Sequence, residues 1–161
     1  LNTTISILNQ LAADYDIPVI VSTHPRTKKR LRSINDINAD KRISFLKPFG
    51  FFDYIKLQKN ALCVISDSGT ICEESAILNF PAITLRNSME RPEAIDSGSI
   101  ILSGFNINNV ISSIKIVIDQ NQANGKNKSV PKEYLIPDTS HRVLNLIMGT
   151  AKLSNMWEGI R

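Results

Sequence analysis

Cysteine is scarce in this chain: Cys63 and Cys72 are the only two among 161 residues. Their spacing fits no metal motif. Cys63 also falls in an apolar run of strand type, so the expected protein is reduced and cytoplasmic, with no metal site. Histidine is equally rare, with His24 and His141 alone. Long apolar runs are missing, which excludes a membrane-spanning helix, and no secretory leader opens the sequence. Aromatic residues make up 6% and do not interleave with the basic cluster Lys28-Lys29-Arg30 and Arg32. That cluster therefore reads as a solvated helix face, and nucleic acid is not expected as a partner. The net charge of +4 suits a doubly charged pyrophosphate equally well. No internal repeat is visible. Leu1 stands where a starting Met would, and Asn2-Thr3-Thr4 leads straight into a helix, so a piece of a longer chain is expected.

What is present is enough for one domain with a core. Ile5, Leu8, Leu11 and Ala12 recur at helical spacing after a Thr cap. Pro18 to Ser22 is a continuous apolar run, fit for a strand buried on both faces. A basic helix follows from Thr27 to about Ile34, then a polar loop, then a strand over 42–46. Phe49-Gly50-Phe51 precedes a helix running to about Asn60. Leu62 to Ile65 is the next strand, and Thr70 to Leu78 the next helix, with Asn79 as its C-cap. Pro81 leads a strand over 82–85. A short helix over 91–96 ends at Gly98, a strand covers 99–102, and a helix covers 108–121. Residues 122–138 read as a loop and irregular segment, and 139–161 as a final helix and tail. Apolar strands alternating with helices predict an α/β fold with a doubly wound, Rossmann-like parallel sheet. Ligands of such sheets bind at the C-terminal strand ends. Ser22-Thr23-His24, Lys47-Pro48-Phe49, Ser66-Asp67-Ser68-Gly69 and Arg86-Asn87 all lie there.

One of those ends carries more chemistry than the rest. Ser66-Asp67-Ser68-Gly69 is a small polar turn between a strand and a helix. Backbone N–H groups and a positive helix end then converge, which suits a phosphate. Ser68 adds a hydroxyl, and Gly69 allows close approach. Glu74 lies one turn after Thr70 on the same face, where a carboxylate can accept from two sugar hydroxyls. An ordinary strand-to-helix connection with an Asp or Ser cap explains the same residues. Both readings stand on local features alone.

The longer stretch from Ser66 to Glu93 reads SDSGTICEESAILNFPAITLRNSMERPE. Asp67-Ser68-Gly69, Glu73-Glu74, Pro81, Arg86 and Glu90-Arg91-Pro92-Glu93 closely resemble the signature of the non-hydrolysing UDP-N-acetylglucosamine 2-epimerases. The resemblance covers the chain from its first helix to about Asn121. Thr70 stands where the usual member has a second Gly, and Cys72 where it has Gln. These departures, and the tail ending Trp157-Glu158-Gly159-Ile160-Arg161, look more like the capsule and O-antigen branch that forms UDP-N-acetyl-L-fucosamine. The resemblance implies the C-terminal half of a two-domain fold of the B-type glycosyltransferases. Residues 1–121 would be the UDP-binding domain without its first strand. The N-terminal domain, with the acid/base carboxylates, would lie outside this chain.

It also implies a reaction: UDP leaves C1 as a base removes the C2 proton, and re-adds after a proton returns to the other face. No cofactor or metal is implied, and a homodimer is. Ser68, Gly69 and Thr70 would hold the pyrophosphate, Glu74 the ribose, and the backbone of Phe49, Gly50 and Phe51 the uracil. The competing reading of Phe49–Phe51 is a helix-start staple in the core. Arg86, Glu90, Arg91 and Glu93 would meet phosphate or form a hinge ion network, with Arg91 pairing Glu90 or Glu93. His24 is a possible site residue, though it sits in His-Pro-Arg rather than the family's His-x-Asn-Pro. Cys72, beside two carboxylates, reads as packing rather than as a nucleophile. Trp157 would dock on the missing domain. Two rivals remain: a B-type glycosyltransferase, against which Glu90-Arg91-Pro92-Glu93 speaks, and a non-catalytic nucleotide-binding module.

Overall fold

The computed structural model describes residues 2–32, 38–124 and 130–159. Helix α1 (Asn2–Tyr15) leads to strand β1 (Val19–Ser22), and the basic helix α2 (Pro25–Arg32) follows. Strand β2 (Ile43–Leu46) and helix α3 (Phe51–Asn60) come next, then β3 (Val64–Ser66) and α4 (Ile71–Leu78). Strand β4 (Ala82–Thr84), α5 (Pro92–Asp96), β5 (Ile101–Leu102) and α6 (Ile107–Asn124) complete the alternating part. A 3-10 turn (Lys132–Leu135) and helices α7 (Thr139–Thr150) and α8 (Ser154–Trp157) close the chain.

All strand pairs are parallel, as the alternation requires. The strands form two sheets, β1-β2 and β3-β4-β5, each with in-line register such as Val19↔Ile43 and Val64↔Ala82. Helix α1 bridges them: it touches β1 and β2 and also packs on α6, which lies on β4.

Strand periodicity divides the core. Ile83 of β4 points into a cluster with Ile7 and Leu11 of α1 and Val110, Ile114, Val117 and Ile118 of α6. Its neighbour Ala82 points the other way, into Ile71 and Cys72 of α4, Phe80, Ala94 of α5 and Ile100. Val64 and Ile65 follow the same alternation one strand over. Helices thus cover both faces of the three-stranded sheet, which is the doubly wound arrangement.

Strand β1 departs from expectation. Its residues alternate between half-buried and exposed, and Ile20 is 48% exposed. The apolar run predicted burial on both faces, but one face of β1 stays exposed, and among the described residues only β2 pairs with it. Helix α6 runs three residues past the expected end, to Asn124. The expected loop at 125–129, the end of the basic helix at Ser33 and Ile34, and loop residues 35–37 lie outside the described residues.

Arg42 locks the β2 entrance. Its guanidinium donates from Nη2 to Asp40 Oδ2 at 2.7 Å and from Nη1 to Asp16 Oδ1 at 2.6 Å. The same guanidinium holds the Asp40 carboxyl well below the usual carboxylate range. Asn9 of α1 accepts from the Asp40 N–H at 2.9 Å, fixing the helix to this corner.

Candidate nucleotide-binding site

The turn between β3 and α4 is built by its own small side chains. The Ser68 N–H donates to Ser66 Oγ at 3.0 Å, and Ser68 Oγ lies 3.0 Å from Thr70 Oγ1. Thr70 is the N-cap of α4, yet its side chain makes no cap hydrogen bond. Ser68 supplies the local cap, its Oγ accepting from the Thr70 N–H at 3.3 Å, as an ordinary strand-to-helix connection requires. The Thr70 hydroxyl instead donates to Glu74 Oε1 at 2.7 Å, along the helix face the spacing predicted. At the far end of α4, Asn79 is the expected C-cap, and it takes the left-handed conformation with φ 57°.

Two guanidinium groups crowd the glycine. A Cβ added at Gly69 would lie 3.2 Å from Arg91 Nη1 and 3.8 Å from Arg86 Nη1. The absent side chain leaves Arg91 room to face the turn, while Arg86 stands at ordinary contact distance. Arg86 Nη1 is buried without a hydrogen-bond partner among the described residues, while Nη2 donates to Glu90 Oε1 at 3.3 Å. A half-filled guanidinium beside two hydroxyls and a helix N-terminus has donors to spare for an anion.

The ion network differs in part from the expected one. Arg91 pairs chiefly with Glu73, its Nε donating to Glu73 Oε1, while the expected ion pair with Glu90 is also present, at 4.0 Å from Nη1 to Oε2. The hydrogen bond to Glu73 raises the Arg91 pKa further above its ordinary value. Glu93 accepts from the Tyr134 hydroxyl at 3.1 Å instead of pairing with Arg91. Burial and that bond push the Tyr134 phenol up. The physical reason is position. Glu73 sits on α4 facing the loop before α5, whereas Glu93 lies within α5, turned toward the 3-10 segment.

The segment Phe49–Phe51 opens α3. Gly50 is its N-cap, in extended backbone with open space at its α-carbon. Phe51 is 73% exposed and stacks edge-on against Phe52 with ring centroids 5.6 Å apart. A core staple is thereby excluded for Phe51, because its ring faces solvent. The other end of α3 reaches the site through a residue that the sequence reading passed over. Gln58 is 2% exposed, and its Nε2 donates to Glu74 Oε2 at 2.6 Å. A Gln one turn after Tyr54, on the inward side of an amphipathic helix, was the available signal.

His24 lies at the start of α2, exposed, its Nδ1 accepting from the Arg26 N–H at 3.3 Å. No hydrogen bond or ion pair among the described residues joins it to the Ser68–Glu74 cluster. Cys72 is buried, with its thiol pKa raised first by desolvation and then by Glu73, which suits packing and not nucleophilic attack. No group of three or more His, Cys, Asp or Glu capable of holding a metal ion occurs among the described residues. No helix among them is long and apolar enough to cross a membrane.

Residues 1–148 match the protein family described as UDP-N-acetylglucosamine 2-epimerase. A UDP-N-acetylglucosamine 2-epimerase of Methanocaldococcus jannaschii is 40% identical over 116 residues, which is 70% of this chain and 31% of that protein. The solved UDP-N-acetylglucosamine 2-epimerase of Rickettsia bellii superimposes with a TM-score of 0.80 at 37% identity, over 96% of this chain and 42% of that one. The M. jannaschii epimerase solved in complex with UDP-GlcNAc and UDP gives a TM-score of 0.78 at 31% identity, over 91% of this chain and 40% of that one. This chain therefore spans well under half the length of these relatives. With the family match covering nearly all of it, and with the fold in agreement, the chain belongs to the UDP-N-acetylglucosamine 2-epimerase family.

Proposed function

We propose that this chain is the UDP-binding domain of a cytoplasmic sugar-nucleotide 2-epimerase that makes precursors for surface polysaccharide, of the UDP-GlcNAc/UDP-ManNAc or UDP-N-acetyl-L-fucosamine type. The observation that carries the reading is the convergence of Arg86 and Arg91 on Gly69, with Glu74 one helical turn away. Ser68, Gly69 and Thr70 contact the pyrophosphate together with the two guanidinium groups. Glu74 accepts from the ribose, and the backbone at Phe49, Gly50 and Phe51 meets the uracil. Glu90 and Glu93 orient the arginines and the loop that carries them.

The chemistry explains why cations are needed here. When the C1–O bond breaks, its electron pair leaves with UDP as the C2 proton is taken up by a base. Negative charge grows on the departing phosphate, and preorganised donors lower that barrier most. The same donors must keep UDP in place until it re-adds. The base and acid belong to a preceding domain of the same polypeptide, in an enzyme that works as a homodimer. A strand from that preceding part fits between β1 and β3, each of which is paired on one side only among the described residues, as are β2 and β5. The exposed apolar residues of the C-terminal segment, with Met148 75% and Trp157 64% exposed, would pack on that domain.

Two measurements test this reading. Calorimetric titration of the full-length protein with UDP should show binding that a Ser68→Ala/Glu74→Ala variant weakens by about 100-fold, since charge-assisted hydrogen bonds contribute about 1.5–3 kcal/mol each. Unchanged affinity would remove the site from this turn. The 161-residue chain by itself should show no epimerisation when a UDP-N-acetylhexosamine is followed by NMR. Turnover by it would place the acid/base groups within the chain and overturn the division of labour.

A further inference from the structure

Glu74 is held from both sides before any ligand arrives. Its Oε1 accepts from the Thr70 hydroxyl at 2.7 Å, and its Oε2 accepts from Gln58 Nε2 at 2.6 Å. Gln58 belongs to α3 and is 2% exposed, whereas Thr70 is exposed at the lip of the turn. Gln58 Oε1 is also buried, with no hydrogen-bond partner among the described residues. A buried amide with one end unsatisfied is unfavourable for stability, so packing alone does not account for a Gln here. What the amide does accomplish is to point one N–H at Glu74. Tyr54, one turn earlier on α3, has its phenol pKa raised first by burial and then by the Glu74 charge, while a hydrogen bond with the Gln58 side chain opposes the shift.

We propose that Gln58 and Thr70 are positioning residues that clamp the Glu74 carboxylate so that it recognises a pair of neighbouring ribose hydroxyls. The inference rests on the UDP-binding reading above. Each carboxylate oxygen has two lone-pair directions. With one on each oxygen occupied by the clamp, one on each remains, and the two face a vicinal diol. A carboxylate free to rotate would follow a single hydroxyl. A clamped one is selective, because a sugar lacking either hydroxyl leaves an acceptor unpaired. Thr70 therefore serves the ribose through its hydroxyl, beyond any phosphate contact through its N–H.

The test compares UDP with 2′-deoxyuridine diphosphate on the full-length protein by calorimetry. The unmodified protein should prefer UDP by about tenfold or more, the value of one hydrogen bond to a charged group. Gln58→Met keeps the side-chain length and removes the donor. Its preference should fall to about threefold or less, through weaker UDP binding and nearly unchanged binding of the deoxy analogue. A merely structural role would weaken both ligands equally and leave the preference intact, and that result overturns the proposal. Thr70→Val should lose the preference and Thr70→Ser should retain it. Should Gln58→Met fail to fold, that exposed pair decides the matter alone. Absence of UDP binding to the unmodified protein would overturn the nucleotide reading itself, whereas UDP binding without discrimination overturns only the clamp.

Discussion

Gly69→Val is expected to abolish measurable UDP binding while leaving the chain folded. The position lies in a turn at the protein surface, with Arg91 Nη1 3.2 Å and Arg86 Nη1 3.8 Å from the site of a new Cβ. Both neighbours are the far ends of flexible side chains, so the fold can yield where the site cannot. The added methyl groups would occupy the space in which the two cations, the Ser68 hydroxyl and the start of α4 meet an anion. Loss of two charge-assisted hydrogen bonds amounts to about 3–6 kcal/mol, or upwards of 100-fold in the dissociation constant. Stability should change by no more than about 1 kcal/mol, as for a surface position outside the core. Calorimetry with UDP beside urea unfolding reads both. Affinity within about threefold of the unmodified protein would mean that the phosphates do not lie against Gly69.

Phe80→Ala should produce the largest loss of stability of any single change considered. Phe80 is 1% exposed and is the largest of the fully buried side chains. It follows the left-handed Asn79, and its N–H donates to Ser75 O at 3.3 Å, closing α4 before β4 begins. Its ring joins Ile71, Cys72, Ala82, Ala94 and Ile100, the cluster that holds α4 and α5 against the sheet. Truncation leaves a cavity that such a junction cannot collapse into, and costs about 3–5 kcal/mol. Against a typical total of about 5–15 kcal/mol, that is about a fifth or more. Urea unfolding should show a lower midpoint with an unchanged slope. A shift equivalent to less than about 1 kcal/mol would show that this cluster packs loosely.

The two changes sit about one helix apart and separate site from scaffold. Gly69 precedes α4 and Phe80 follows it, so one helix carries the Glu73 and Glu74 carboxylates between a binding turn and a packed end. Damage at the first alters affinity without stability. Damage at the second lowers stability and affects affinity only through unfolding.

Much of this was legible in the chain itself. Strand and helix order, the parallel arrangement, Asn79 as a C-cap and the small polar turn before α4 all follow from local chemistry: branched apolar runs, small polar turns, capping residues and 3.6-residue periodicity. Those signals span a few residues, so they survive without knowledge of the fold. The pairing of Thr70 with Glu74 is of the same kind, because residues four apart on a helix share a face.

Tertiary structure decided the rest. Burial of β1 on one face depends on which helix lies over it, and an apolar run is the same whether or not its second face is covered. Arg91 takes Glu73, 18 residues away, in preference to its sequence neighbours Glu90 and Glu93. Tyr134 reaches Glu93 across 41 residues, and Gln58 reaches Glu74 across 16. Local composition therefore determined the elements and the turn that could hold a phosphate. Which side chains complete the site was set by contacts between elements distant in sequence, because a hydrogen bond depends on distance and direction, and residue order alone supplies neither.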